Sequence, residues 1–389
     1  MDLVKQKINQ ASGLLQEFDI DCWIIFVRET SMMADPVMPL LIGQNVTWQS
    51  FFVFTKSGES IALVGNFDEA LFSQSGHFTK VIPYTQGVGA DFRQLMTRLN
   101  PKSIALNYSI DDTGSDGLTH GMYLQLCEYL RGTPYADRFV SSLPICSRIR
   151  SRKLPAEIDL LESAAISASK VWDTILPNIK IGMTEIQIGE LFDNEIAKTG
   201  GVPSFATIVN VGDKSDPGHG HPTTAKLAPG DLLHVDFGIL KDDYCSDIQR
   251  LAYFPASNES APLAVLLDAF NCVHEIITET GRACKPGVKG HEIDSLARKL
   301  LRDNGYEEYQ HALGHQLGRS VHDGGAILGP QWERYGNTPN IPLEEGNVLT
   351  LELEILLPGI GCVGLEEDVV ITPTGARFLS LRQMELAVR

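Results

Sequence analysis

Two apolar runs in the second half of this 389-residue chain carry acidic side chains where a buried strand would be expected to carry none. Asp236 lies within Leu232-Leu-His-Val-Asp-Phe-Gly-Ile-Leu240, and Glu352 and Glu354 lie within Leu349-Thr-Leu-Glu-Leu-Glu-Ile-Leu-Leu357. An unpaired buried carboxylate costs several kcal/mol or shifts its pKa until it is neutral. A strand with its acidic face in water would explain one such residue. The pattern occurs twice, however, with a further acid across each turn: Asp247 in Tyr244-Cys-Ser-Asp-Ile-Gln-Arg250, and Glu366 in Gly364-Leu-Glu-Glu-Asp-Val-Val370. Four carboxylates on two hairpins converge only with countercharge, and few basic residues (Lys241, Arg250) lie near them in sequence. A pair of divalent cations supplies it most simply. Hard oxygen donors with one imidazole suit manganese, cobalt or iron better than a structural zinc.

The imidazole candidate is His315 in His311-Ala-Leu-Gly-His-Gln-Leu-Gly318, whose glycines would let the backbone approach a ligand closely. A lone histidine is more often structural, so His315 counts only beside the carboxylates. His322, seven residues on, and His219, in Pro217-Gly-His-Gly-His-Pro222, are candidates for proton transfer, with His221 competing for the role of His219. His234 shares a strand face with Asp236 and reads as packing or support for the ligands.

These residues need a scaffold with two hairpins facing one another. After Pro155, apolar residues at Ile158, Leu161, Ala165, Ala168 and Trp172 recur at helical intervals. Lys180-Ile-Gly-Met183 then precedes a helix with Thr184 as N-cap, Gln187 completing a capping box and Gly200 as its stop. Lys285-Pro-Gly-Val288 precedes a second helix stopping at Gly305, both features at an offset of 105 residues. Each helix is followed by a histidine-bearing loop and a strand pair, Leu232 to Tyr253 and Val348 to Ile371. The region reads as two related αβ halves with a site between them.

The chain is longer than one core usually supports, so two domains are expected. Residues 1–147 alternate short apolar strands (Cys22 to Val27, Ser50 to Phe54, Ser60 to Val64, Ser103 to Leu106) with helical stretches such as Gly121 to Arg131, an α/β pattern. They cluster no titratable groups at a chemical spacing, which suits a supporting or dimerising domain. The basic segment ending at Pro155 suggests an exposed linker over 148–157, leaving 158–389 as the catalytic domain. With 49 acidic against 32 basic residues the formal charge is −17, which repels nucleic acid and anionic lipid alike. The seven scattered cysteines contain no Cys-x-x-Cys pair, and the first residues lack the apolar stretch of a signal peptide. No apolar run approaches a membrane span. A reducing, cytoplasmic setting is expected.

The region from the linker onward resembles the pita-bread metallopeptidases, namely prolidase, aminopeptidase P and methionine aminopeptidase, with creatinase as a metal-free relative. The N-terminal part resembles the creatinase-type domain of the proline-specific members. The motif Val-Asp-Phe-Gly, followed eleven residues later by Ser-Asp-Ile-x-Arg, falls on Asp236 and Asp247. His-x-x-Gly-His-x-x-Gly falls on His311 to Gly318, Thr-x-Glu on Thr350 to Glu352, and the closing Glu-Asp-x-Val-x-Val-Thr pattern on Glu366 to Thr372.

The resemblance implies an α/β N-terminal domain followed by a duplicated α+β pita-bread domain. It implies two divalent ions, manganese foremost with cobalt, zinc or iron possible, held by Asp236, Asp247, His315, Glu352 and Glu366. Asp247 and Glu366 would bridge them. It also implies Glu352 as the base, with His219 and His322 stabilising the intermediate and delivering a proton to the leaving nitrogen. The expected reaction is hydrolysis of the bond between an N-terminal residue and proline in dipeptides, by a homodimer acting on small peptides. The alternatives are an Xaa-Pro aminopeptidase on longer peptides, and a non-peptidase enzyme (a metal-dependent lyase among them) or a binding protein on the same fold. One departure stands out: where such sites usually carry Glu-Pro-Gly-x-Tyr and an arginine two residues before the fifth ligand, this chain has Leu356 and Gly364, and the usual His-Glu is His322-Asp323. Loss of a phenol and a guanidinium together suggests less polar surroundings for the ligands and a restricted substrate set.

Overall fold

The computed structural model describes residues 2–213, 220–257, 259 and 261–389. The chain separates into two compact units, Met1–Arg150 and Ser151–Arg389.

The first unit is built on a six-stranded mixed sheet in the spatial order Lys80–Tyr84, Ser60–Gly65, Ser50–Thr55, Cys22–Val27, Ile104–Leu106, Phe139–Ser141. Its two central strands are apolar almost throughout because both faces are covered. Side chains alternate between faces. Trp23, Ile25, Phe52 and Phe54 therefore enter one cluster, while Cys22, Ile24, Phe51 and Val53 enter another. The stretch read as an exposed linker begins instead inside a helix, Leu143–Ser151. Ile145 and Ile149, one helical turn apart, are fully buried in the first unit's core, and this apolar pair outweighs the interleaved arginines. The unit boundary accordingly falls after Arg150.

In the second unit, α1 (Pro155–Ile175) opens on its proline, whose missing N–H is no loss in a first helical turn. α2 (Glu185–Lys198) has the expected Thr184–Gln187 capping box. α3 (Ala264–Ala283) precedes α4 (Gly290–Asp303). The duplication is plain in the backbone. α2 and α4 have the same length, each is preceded by a left-handed glycine (Gly182, φ 91°; Gly287, φ 90°), and each is followed by another (Gly200 and Gly305, both φ 83°).

Five strands of the seven-stranded main sheet carry the site: β1 (Ile208–Val211), β2 (Asp231–Phe237), β3 (Ile248–Phe254), β4 (Val348–Leu357) and β5 (Gly361–Thr372), in the order β4-β5-β3-β2-β1 with every pairing among these five antiparallel. Residues one apart face opposite sides. Leu233, Val235 and Phe237 pack with Trp172, Ile188 and Phe192 of α1 and α2. Leu349, Leu351 and Leu353 pack with Phe270, Val273 and Ile277 of α3. That leaves Asp236, Glu352 and Glu354 on the opposite face. Register then lines up the chemistry, pairing Asp236 with Gln249, Gln249 with Glu366, and Glu366 with Glu352 across four adjacent strands.

Candidate metal centre

A cavity of about 590 Å³ opens over that face, and Asp236, Asp247, His315, Glu352 and Glu366 all line it. Ligand atoms of Asp247, His315 and Glu366 lie within 4.8 Å of one another. His315 Nε2 is 3.7 Å from Asp247 Oδ2 and 3.8 Å from Glu352 Oε1, too far for a hydrogen bond. The acids are not on a wet surface: Asp247 and Glu366 are 5% and 1% exposed.

So many carboxylates cannot all be ionised in one dry place without cations. Burial, and then the charge of Glu352, push the Asp236 carboxyl up to about 8. Burial and the neighbouring acids likewise hold Asp247 and Glu366 well above the usual carboxylate range. Glu352 is raised to about 6, chiefly by burial, although the charge of His311 opposes the rise. His315 is lowered to about 3 by burial and by His322, so its imidazole is neutral and its Nε2 can donate a lone pair. Asp236 Oδ1, Asp247 Oδ1 and Glu366 Oε1 are buried without a hydrogen-bond partner among the described residues. Partnerless buried oxygens converging beside a neutral imidazole fit hard divalent cations.

The other expected residues are placed differently. His322 lines the cavity with its ring edge-on to His315, centroids 4.3 Å apart. His221 lines the same cavity, whereas His219 lies outside the described residues. His234 accepts or donates hydrogen bonds to Asn210 and Gln249 and does not line the cavity, in keeping with a supporting role. Asp323 is held by the Lys153 ammonium at 2.9 Å in a buried ion pair. Arg250 is likewise committed elsewhere, to Glu367 at 3.0 Å, so it does not neutralise the five.

Family membership is decided by comparison with known proteins. The model of Metallopeptidase family M24 matches residues 159–373. The chain belongs to this family. An Xaa-Pro dipeptidase of Pyrococcus furiosus is 31% identical over 279 residues, covering 71% of this chain and 76% of that protein. Among solved structures, an Xaa-Pro dipeptidase from Bacillus anthracis superposes with a TM-score of 0.77 at 23% identity over 99% of both chains. An X-Pro aminopeptidase from Thermotoga maritima gives 0.76 at 24% identity, covering 96% of this chain and 99% of its own. At these identities the two structures establish the fold, a creatinase-type α/β domain followed by the pita-bread domain. This M24 chain is a hydrolase of the metallopeptidase class.

Within that class, several features of this chain differ from the sequence-based expectation. Gly314 and Gly318 do not make room for a ligand. A Cβ at Gly314 would lie 2.0 Å from Thr350 O, and one at Gly318 would lie 2.1 Å from Asp323 Oδ2, so the close approach is to the protein itself. Nor are the surroundings of Gly364 less polar, because Gln249, His234 and Asn210 occupy them. Sequence reasoning passed over Asp368, which is fully buried and accepts the Asp247 N–H at 3.2 Å. It also passed over the pairing of His311 Nε2 with Glu354; burial alone would depress that histidine, yet the carboxylate raises it to about 9. Acids adjacent to the recognised ones, on the same strands, were the available signal.

Proposed function

We propose that this protein is an Xaa-Pro dipeptidase whose centre holds two divalent cations through Asp236, Asp247, His315, Glu352 and Glu366. The carrying observation is that all five residues line one cavity in which three buried carboxylate oxygens lack partners. When bound, such a pair supplies Lewis-acid polarisation of the scissile carbonyl and lowers the pKa of a bound water. Manganese is the ion proposed, with cobalt, iron or zinc as substitutes.

The chain's own residues have separable roles. Glu352, which faces the cavity beside His315 Nε2, takes the proton of the attacking water. His322, also on the cavity wall, hydrogen-bonds the oxygen that gains charge and delivers a proton to the proline nitrogen as it leaves; His219 is proposed to share this task. Phe205, Ile208, Leu240 and Val321 supply apolar wall suited to a proline ring. Arg319 is the one lysine or arginine among the described lining residues. One of its nitrogens holds the exposed Asp243 carboxylate at 2.7 Å, and its remaining N–H groups are proposed to meet a dipeptide's terminal carboxylate, a group an internal peptide bond lacks, which favours dipeptides over longer chains. A homodimer in the cytoplasm completes the proposal; among the described residues no helix is long and apolar enough to cross a membrane.

Titration of the chelator-treated protein with manganese tests the centre. Two equivalents per chain are expected for the natural sequence and fewer for Asp247→Ala. No binding, or unchanged stoichiometry in that variant, would refute the assignment.

A further inference from the structure

Three of the four acids of the centre, Asp236, Glu366 and Glu352, lie in a cross-strand row with a neutral side chain between them. Gln249 is paired in register with Asp236 on one side and with Glu366 on the other, and Glu366 with Glu352 beyond it. Gln249 Nε2 reaches Glu366 Oε2 at 3.0 Å and Glu352 Oε2 at 3.3 Å, while Gln249 Oε1 lies 3.0 Å from His234 Nε2. His234 Nδ1 in turn lies 3.2 Å from Asn210 Nδ2. All three supporting side chains are buried.

The donor directions follow from the end of the chain that has no choice. With the cations bound the carboxylates are ionised and only accept, so the amide must turn its NH₂ toward Glu352 and Glu366. Its oxygen then faces His234 and requires a proton on Nε2, which leaves Nδ1 to accept from Asn210. One arrangement satisfies every group. Gly364 makes it possible: a Cβ there would lie 2.7 Å from Gln249 Oε1 and 3.0 Å from His234 Nε2. The glycine that stands in place of the expected arginine is therefore the space into which this amide and imidazole fit.

We propose that Gln249, oriented by His234 and Asn210 in the space over Gly364, is the positioning residue of the centre. By holding one oxygen of Glu366 and one of Glu352, it leaves Glu366 Oε1 without a protein partner and Glu352 Oε1 facing His315. Each acid thus presents a defined oxygen to whatever the centre binds. This role rests on the two-cation reading above.

Cobalt titration of the full-length, chelator-treated protein, read by calorimetry and by the visible d–d spectrum, tests it. Gln249→Met keeps the volume and removes the donors; its cobalt affinity is expected to fall about 10- to 100-fold, with an altered spectrum. Wild-type affinity and spectrum in that variant would overturn the proposal. Should it fail to fold, a second pair decides. Gly364→Ala is expected to weaken cobalt binding in the natural background and to add less to Gln249→Thr, where the new methyl no longer meets the amide and meets only His234. Strict additivity would overturn the proposal. A natural protein that binds no cobalt at all would refute the two-cation reading itself, and the positioning role with it.

Discussion

Removing the metals should make the protein's stability depend on pH in a direction set by its crowded carboxyls. Asp236 has an ordinary pKa of 3.8 and is pushed up to about 8 in the folded, metal-free chain. Between those values the folded state keeps a proton that the unfolded state has released. Stability from this group is complete below about pH 4 and is lost as the pH rises toward 8. The cleanest window is pH 6.5 to 8. There His315 and His234, whose pKa values burial lowers from 6.5, are neutral in the folded state and at most half protonated in the unfolded one, so together they oppose the fall by only about 1 kcal/mol. His311, raised to about 9, works in the same direction as Asp236. Across 1.5 pH units at about 1.4 kcal/mol each, Asp236 alone costs roughly 2 kcal/mol. Water in the cavity trims that figure and Asp247 and Glu366, shifted the same way, add to it. For a unit of this size the melting temperature should fall by about 4–8 °C. Scanning calorimetry in chelator at pH 6.5 and pH 8, repeated with saturating manganese, measures it. The metal-loaded protein should lose the trend, because the cations keep the acids ionised in the folded state. A metal-free protein whose melting temperature is flat or rises across this window would refute the reasoning.

Other perturbations separate catalysis from stability. Glu352→Gln should retain manganese and lose about 10²- to 10⁴-fold in kcat, measured on Met-Pro; full activity would remove Glu352 as the base. Lys153→Met withdraws the buried countercharge of Asp323 and should cost about 3–5 kcal/mol in urea denaturation, much of it recovered when Asp323→Leu is added. Gly238→Ala would set a methyl 1.8 Å from Ser246 O in the turn after β2 and should cost about 3 kcal/mol by the same assay. Arg319→Met should raise KM for Met-Pro severalfold while leaving the Met-Pro amide nearly unaffected; equal effects on both would take the carboxylate contact away from Arg319.

What the sequence made legible was the part governed by strand periodicity. Asp236 and Glu352 stand out because a two-residue repeat places them opposite Leu233, Val235, Leu351 and Leu353, which the helices cover. Helix α2 was legible from its cap and stop residues, and α4 from the Pro-Gly turn before it and the glycine after it, signals that act over four or five positions. Gln249 was hidden, although it is only two residues beyond Asp247, near the start of β3. An amide is unremarkable in a list of residues, and its importance depends on cross-strand register with Glu366, more than a hundred residues away. Gly314 and Gly318 misled for a related reason: sequence says that a glycine permits close approach, and only the fold says by what. The helix Leu143–Ser151 was obscured by its arginines, which drew attention from the Ile145–Ile149 pair.

The central claim is tested most directly by hydrolysis of a matched set, Met-Pro, Ala-Pro, Met-Ala and Met-Pro-Ala, using chelator-treated protein before and after reloading with manganese or cobalt. The account predicts no cleavage before reloading and, afterwards, cleavage of the two Xaa-Pro dipeptides alone. Efficient cleavage of Met-Pro-Ala would make the enzyme an aminopeptidase, and silence of the reloaded protein on all four would contradict the proposed peptidase specificity.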